Sequence, residues 1–263
     1  MLRNLWKPAK SDAERRSEHL AEAAAAAARS DYDRALEIWM GYAHAGDARA
    51  QTEIGRCFLD GLGLERSPEL AQQWLSLAAK AGHTLAQRLL GDFYFNGDAG
   101  KPERAIAEEW YARAAKQGDA QAQEMLSWIM VEADHRTPDY AQAREWAEKA
   151  AAQGVAAAMT RLGLLYNNAL GVERDPKVAV VWWYKAALLK DADGQAMLGA
   201  AYHLGAGVRR NRIKALSWLI RAKAGGSALA DRFNVAVREA CTPKEVRDAE
   251  ARAAAPLADE AAS

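Results

Sequence analysis

Two short glycine motifs are the first places in this chain where chemistry could reside. Gly61-Leu62-Gly63 and Gly205-Ala206-Gly207 have the spacing of a loop whose backbone N–H groups cradle a phosphate. A dinucleotide loop also needs a third glycine and a preceding strand, and neither motif has them. The turn recurs in register with a partial copy at Ala169 and Gly171, so it reads as punctuation between repeated units. The five histidines, His19, His44, His83, His135 and His203, form no HExxH motif and no His/Cys cluster at zinc-ligand spacing. No metal or cofactor is expected, and a metal-dependent hydrolase assembled across repeats stands only as a remote alternative. Cys57 reads as a small buried hydrophobe, because a nucleophilic thiol would need a base beside it. Adjacent carboxylates such as Glu108 and Glu109 do not face each other on a helix. An enzyme is therefore not expected.

Composition narrows the classes further. The 35 Lys and Arg balance 35 Asp and Glu, without the basic excess that marks nucleic-acid binders. One basic column does recur: Arg113, Lys149, Lys185 and Arg221 stand 36 residues apart. Each falls in the last turns of an expected helix, where a cation offsets the negative dipole end, so a structural role is favoured over an acidic-ligand stripe. Cys57 and Cys241 share no repeat position and indicate no disulfide ladder, which makes the cytoplasm the expected compartment. No stretch approaches the ~18–20 apolar residues of a membrane span, and no signal peptide is read at the amino terminus. Leu2, Leu5 and Trp6 among Arg3, Lys7 and Lys10 leave one alternative: an adaptor tethered to a membrane or envelope through a basic-aromatic tip.

The elements that position these residues are visible as a period. Trp74, Trp110, Trp146, Trp182 and Trp218 recur every 36 residues, the mark of stacked supersecondary units. Small residues flank each tryptophan at i−3 and i+4, as in Ala71 and Ala78 or Ala179 and Ala186, on one helical face. That spacing predicts a helix with room for a neighbour. A second helix carries a Leu–Gly column, Ile54-Gly55, Leu90-Gly91, Leu126-Ser127, Leu162-Gly163 and Leu198-Gly199. Glycine in a helix costs about 1 kcal/mol, so its recurrence predicts close approach of a facing helix, with the indole expected in the glycine gap. Gly46, Gly82, Gly118 and Gly154 suit the left-handed position that ends a helix; Lys190 interrupts that column. Ser67-Pro68, Thr137-Pro138 and Asp175-Pro176 start helices, since proline loses nothing at the first helical position.

These columns resemble the Sel-1-like repeat family, relatives of the tetratricopeptide repeats. Residues 157–189 carry the pattern most clearly, and it extends over roughly residues 31–240. The resemblance implies an all-α fold: a right-handed superhelical solenoid of about six antiparallel helix pairs with capping helices at both ends. It also implies a non-enzymatic adaptor in protein complexes, many of them bacterial. The expected organisation is a tip at 1–10, a capping helix at 11–30, the repeat array at 31–240, and a closing helix and tail at 241–263. Ser11-Asp12-Ala13-Glu14 and Thr242-Pro243-Lys244-Glu245 read as capping boxes opening the two terminal helices. The unit around 120–136 lacks its glycines, and a longer helix through Ala133-Asp134-His135-Arg136 or an altered curvature is expected there. The last copy, with Asn234, Val235 and Arg238 in the Leu, Gly and Tyr columns, is atypical, as a terminal unit should be.

By the same resemblance, the inner curve is lined by the Leu–Gly helices at positions that vary between copies. The candidate partner-binding residues are Thr52, Arg56, Arg88, Asp92, Phe95, Glu124, Trp128, Asn167 and His203. Trp128 and Phe95 stand out, because an exposed aromatic beside Arg and Asp is hot-spot composition. The expected partner is a protein or peptide, with weak self-association as an accompanying expectation; no nucleic acid and no stable membrane insertion are expected.

Overall fold

A computed structural model of the chain describes residues 10–132 and 137–257. Among them are fourteen α-helices and no strand. The chain divides into two compact units, Met1–Asp119 and Ala120–Ser263.

The first unit contains α1 (Asp12–Ala28), α2 (Tyr32–His44), α3 (Ala48–Asp60), α4 (Pro68–Lys80), α5 (Thr84–Asn96) and α6 (Arg104–Lys116). Helix α1 opens with the Ser11/Glu14 capping box and buries Leu20, Ala23 and Ala26 against α2. Helices α3 and α4 pair closely, as do α5 and α6.

The second unit contains α7 (Ala120–Glu132), α8 (Tyr140–Ala152), α9 (Ala156–Asn167), α10 (Pro176–Leu188), α11 (Ala192–Leu204), α12 (Arg212–Ala224), α13 (Ala228–Glu239) and α14 (Pro243–Ala254). Pairs α7/α8, α9/α10 and α11/α12 repeat the arrangement of the first unit. The chain continues past α13 into α14 through the Thr242/Glu245 capping box, but α14 lies on α12. The glycine-free stretch 133–136 lies outside the described residues.

Each hairpin is pinned by a bond that also keeps the 36-residue step. The backbone N–H of the residue capping the second helix returns to the carbonyl of the aromatic column. The bonds are Ser67 to Phe58, Glu103 to Tyr94, Asp139 to Met130, Asp175 to Tyr166 and Asn211 to Tyr202, at 2.8–3.1 Å. Between hairpins the chain reverses at Gly46, Gly82, Gly118 and Gly154, all left-handed. Lys190, in the place of that glycine, takes the same conformation at φ 65°, so the turn geometry overrides the preference of an L side chain.

The glycine column accommodates a close helix approach, though the side chain filling the gap differs from the expected one. Gly55 faces Leu75, Gly91 faces Tyr111, Gly163 faces Trp183 and Gly199 faces Leu219. Each is the residue after the tryptophan column, rotated about 100° around the helix. Where the glycine is Ser127, the residue after the tryptophan is Ala147, and both are fully buried. The column tryptophans instead lie at the edge of the core. Trp74, Trp110, Trp146 and Trp182 are half-buried, and only Trp218 is covered, at 1% exposure.

Candidate functional site

In each unit the odd-numbered helices carry the candidate residues, and Thr52, Arg88 and Glu124 are spent on residues of the next hairpin. Every odd helix from α3 starts one turn-residue after a position in the series 47, 83, 119, 155, 191 and 227. Apart from Val155, the side chains at these positions bond to the preceding odd-numbered helix. In the first unit Arg16 of α1 pairs with Asp47, whose carboxylate also accepts from the Ala50 N–H at 2.9 Å. Burial opposes the Asp47 charge, but the Ala50 N–H and the Arg16 guanidinium hold its carboxyl below the usual value.

Thr52 is fully buried and its hydroxyl is hydrogen-bonded to Nδ1 of His83 at 2.8 Å. His83 caps α5 by position but makes no side-chain cap bond. Burial, then the nearby Arg49 charge, push its ring below the ordinary imidazole value. Arg88 reaches Asp119 at 3.4 Å and Asp92 at 3.0 Å. Asp92 also accepts from the Tyr111 hydroxyl at 2.8 Å; burial raises its pKa against those bonds. Phe95 packs edge-on to Tyr111, with the Arg104 guanidinium 4.6 Å from its ring centre. Arg88, Asp92 and Phe95 thus form one connected cluster with Tyr111.

Arg56 sits apart, ion-paired to Glu53 at 2.9 Å. It borders a groove of about 640 Å³ between α1 and α3 with Ala21, Ala24, Arg49 and Cys57. Cys57 is 2% exposed, and burial followed by the Glu53 charge push its thiol up to about 11. A thiol so protonated is a packing residue.

In the second unit Glu124, nearly buried, accepts from Arg161 of α9 at 2.6 Å. Thr160 donates to Asp191 at 2.7 Å, and Asp191 caps the Gly194 N–H. Ser227 donates to Asp193 at 2.5 Å. Trp128 is half-buried and lines a groove of about 220 Å³ with Leu164, Met197 and Leu229, bordered by Glu132, Arg161 and Asp193. Asn167 and His203 lie in the last turns of α9 and α11, outside the lining of that groove. Asn167 bonds Asn168 and its carbonyl accepts from Arg174.

One further column escaped the sequence reading. Gln51, Gln87 and Gln195 are buried and donate to the carbonyls of Ala43, Ala79 and Ala187, each eight residues back. Gln123 continues the column and accepts from Gln153. The period itself was the available signal. On the even-numbered helices the basic column lies over the tryptophans: Arg113 on Trp110 at 4.4 Å, Lys149 on Trp146 at 4.0 Å and Lys185 on Trp182 at 4.3 Å. Cation–π attraction therefore joins the dipole in placing those charges.

Among the described residues no group of three His, Cys, Asp or Glu could hold a metal ion, and no helix is long and apolar enough to cross a membrane. Leu2, Arg3, Leu5, Trp6 and Lys7 lie outside the described residues, as does His135.

No curated protein matches the sequence. Among solved structures, a Sel1 repeat protein from Oxalobacter formigenes is 26% identical over 90% of this chain and 97% of its own, with a TM-score of 0.80. The c5321 protective antigen of uropathogenic Escherichia coli, described as displaying an SLR fold, is 23% identical over 92% of this chain, with a TM-score of 0.59. This chain covers 61% of that protein, a likeness of fold. The Sel1 repeat model matches residues 48–83, 84–119, 120–155, 156–191 and 192–227. With hairpins of one design repeated across that span, the chain belongs to the Sel1 repeat family, non-enzymatic helical-repeat scaffolds that mediate protein–protein interaction.

Proposed function

We propose that this chain is an adaptor that holds a protein or peptide partner on the odd-helix face of its second unit, in the groove around Trp128. The observation that carries the reading is that groove. It sets an indole beside Leu164, Met197 and Leu229, with charged groups on its border, the composition of a binding hot spot. Trp128, which lines that groove, is the candidate we assign to the partner, with Arg56 bordering a second groove in the first unit. A reducing compartment belongs to the same reading: Cys57 and Cys241 are free thiols, as is usual in the cytoplasm.

The test is affinity capture from the native cell with the wild-type chain and with Trp128→Ala, quantified by mass spectrometry. The expected result is a partner whose recovery falls about tenfold or more with the variant, the size of a hot-spot loss, while the melting temperature stays close to wild type. Equal recovery by the two proteins would move the binding surface away from this groove.

A further inference from the structure

The chain already shows how an even helix receives a helix on its outer side. Helix α14 lies along α12 and buries Ala249 completely. The two run in the same direction: Glu245, at the start of α14, faces Arg212 at the start of α12. At the other end Arg221 donates to the carbonyls of Arg252 and Ala255, at 2.6 and 2.9 Å. Arg252 lies in the last turn of α14 and Ala255 is the residue that ends it. Beneath this contact Trp218 is 1% exposed and Ser217 fully buried.

One repeat earlier α10 presents the same arrangement uncovered. Lys185 stands in the place of Arg221, its Nζ 4.3 Å over the Trp182 ring. Val181 takes the place of Ser217 and is 53% exposed, and Leu189, in the place of Gly225, is 52% exposed. With half-buried Val178 and Trp182, the residues at 178, 181, 182, 185 and 189 follow helical spacing, and they make one outward stripe. Helix α8 carries Glu145 and Glu148 where α10 carries Val181 and Tyr184, and α4, which exposes Leu70 and Leu77, has no cation at the place of Lys185. Helix α10 has no acidic residue, and Lys177, Lys185 and Lys190 are all exposed.

We infer that the outer face of α10 is a docking site for an acidic amphipathic helix of another protein. That helix lies parallel to α10, its apolar stripe on Val181 and Leu189 and its terminal carbonyls at Lys185. Three properties select it. The apolar stripe needs an apolar partner. The three lysines select a carboxylate-bearing one. The Arg221–α14 contact shows that a cation at this position caps the C-terminus of a parallel helix. This surface is independent of the Trp128 groove.

The test uses the full chain and a synthetic peptide of residues 242–257 carrying Arg247→Glu, Arg252→Glu, Ala249→Leu and Ala253→Leu, which make it acidic and amphipathic. Titration followed by calorimetry should give saturable binding of one peptide per chain. Val181→Asp and, separately, Lys185→Glu should each weaken it by roughly tenfold, the scale of a hot-spot loss, while Lys185→Arg and Trp128→Ala leave it unchanged. Leu189→Asp, at a site past the end of α10, provides a third variant, and circular dichroism confirms that each remains helical. The assignment is overturned by an absence of saturable binding, or by binding that none of the α10 variants disturbs. Binding lost with Trp128→Ala would also overturn it, while leaving the groove reading intact. A dimer in sedimentation that Val181→Asp dissolves would give the face to a second copy of the chain, and overturn it too.

Discussion

At position 83 the chain carries an imidazole where positions 47, 119 and 191 carry carboxylates. Asp191 both receives the Thr160 hydroxyl and caps its own helix; His83 is hydrogen-bonded to the Thr52 hydroxyl but leaves the helix without a side-chain cap. Its folded pKa lies below the ordinary 6.5. The unfolded chain therefore takes up the proton first, and stability declines as pH falls below about 6.5, levelling off below the pKa of the folded ring. His83→Asp should add about 1 kcal/mol by supplying the cap and should remove this decline below about pH 6.5. Urea melts of the two proteins at several pH values measure both; parallel pH profiles would contradict it. None of this was legible in the sequence. The reading took Thr52, Arg88 and Glu124 as facing a partner, because a helical position that varies between copies looks the same whether it meets a ligand or a side chain of the next hairpin.

At the scale of the element, the period gave the repeat helices and their order, since a rare residue at fixed spacing leaves few alternatives, and the Ser/Thr-x-x-Glu motifs gave both capping boxes. It misassigned the side chain in the glycine gap. Tryptophan is conspicuous by identity, whereas the residues that fill the gap, Leu75, Tyr111, Trp183 and Leu219, share only bulk. The gap makes one substitution act with opposite signs. A methyl at Gly163 would overlap the Trp183 ring, which is held by its Nε1 bond to the Thr160 carbonyl at 3.2 Å. Overpacking of this kind costs about 1–3 kcal/mol, so Gly163→Ala should lower stability although alanine is the better helix former. Gly41 in α2 has nothing within 4 Å of such a methyl, and Gly41→Ala should gain up to about 1 kcal/mol. Thermal unfolding of the pair decides it; two changes of the same sign would show that the gap is not steric.

For the whole molecule, a terminal repeat was expected to be atypical and its closing helix was legible from Thr242 to about Ala255. That α14 settles on α12 was not, because Val246 and Ala249 are too few and too small to name their partner. The consequence is optical as well as energetic. A chain ending at Ala240 should uncover Trp218, shift tryptophan emission to longer wavelength and melt several degrees lower, since burial of a large apolar side chain is worth about 1.5–3 kcal/mol. An unchanged emission maximum would mean that α14 contributes no cover.

The polar locks have a further implication for how such a chain can change length. Thr52 and His83 both fall within residues 48–83, Arg88 and Asp119 within 84–119, and Thr160 and Asp191 within 156–191. Each of these three segments holds both halves of its own clasp, whereas Glu124 of segment 120–155 is held by Arg161 of segment 156–191. A copy of 48–83 or 84–119 therefore carries its own pair with it, while parting 120–155 from 156–191 would leave the nearly buried Glu124 without its arginine.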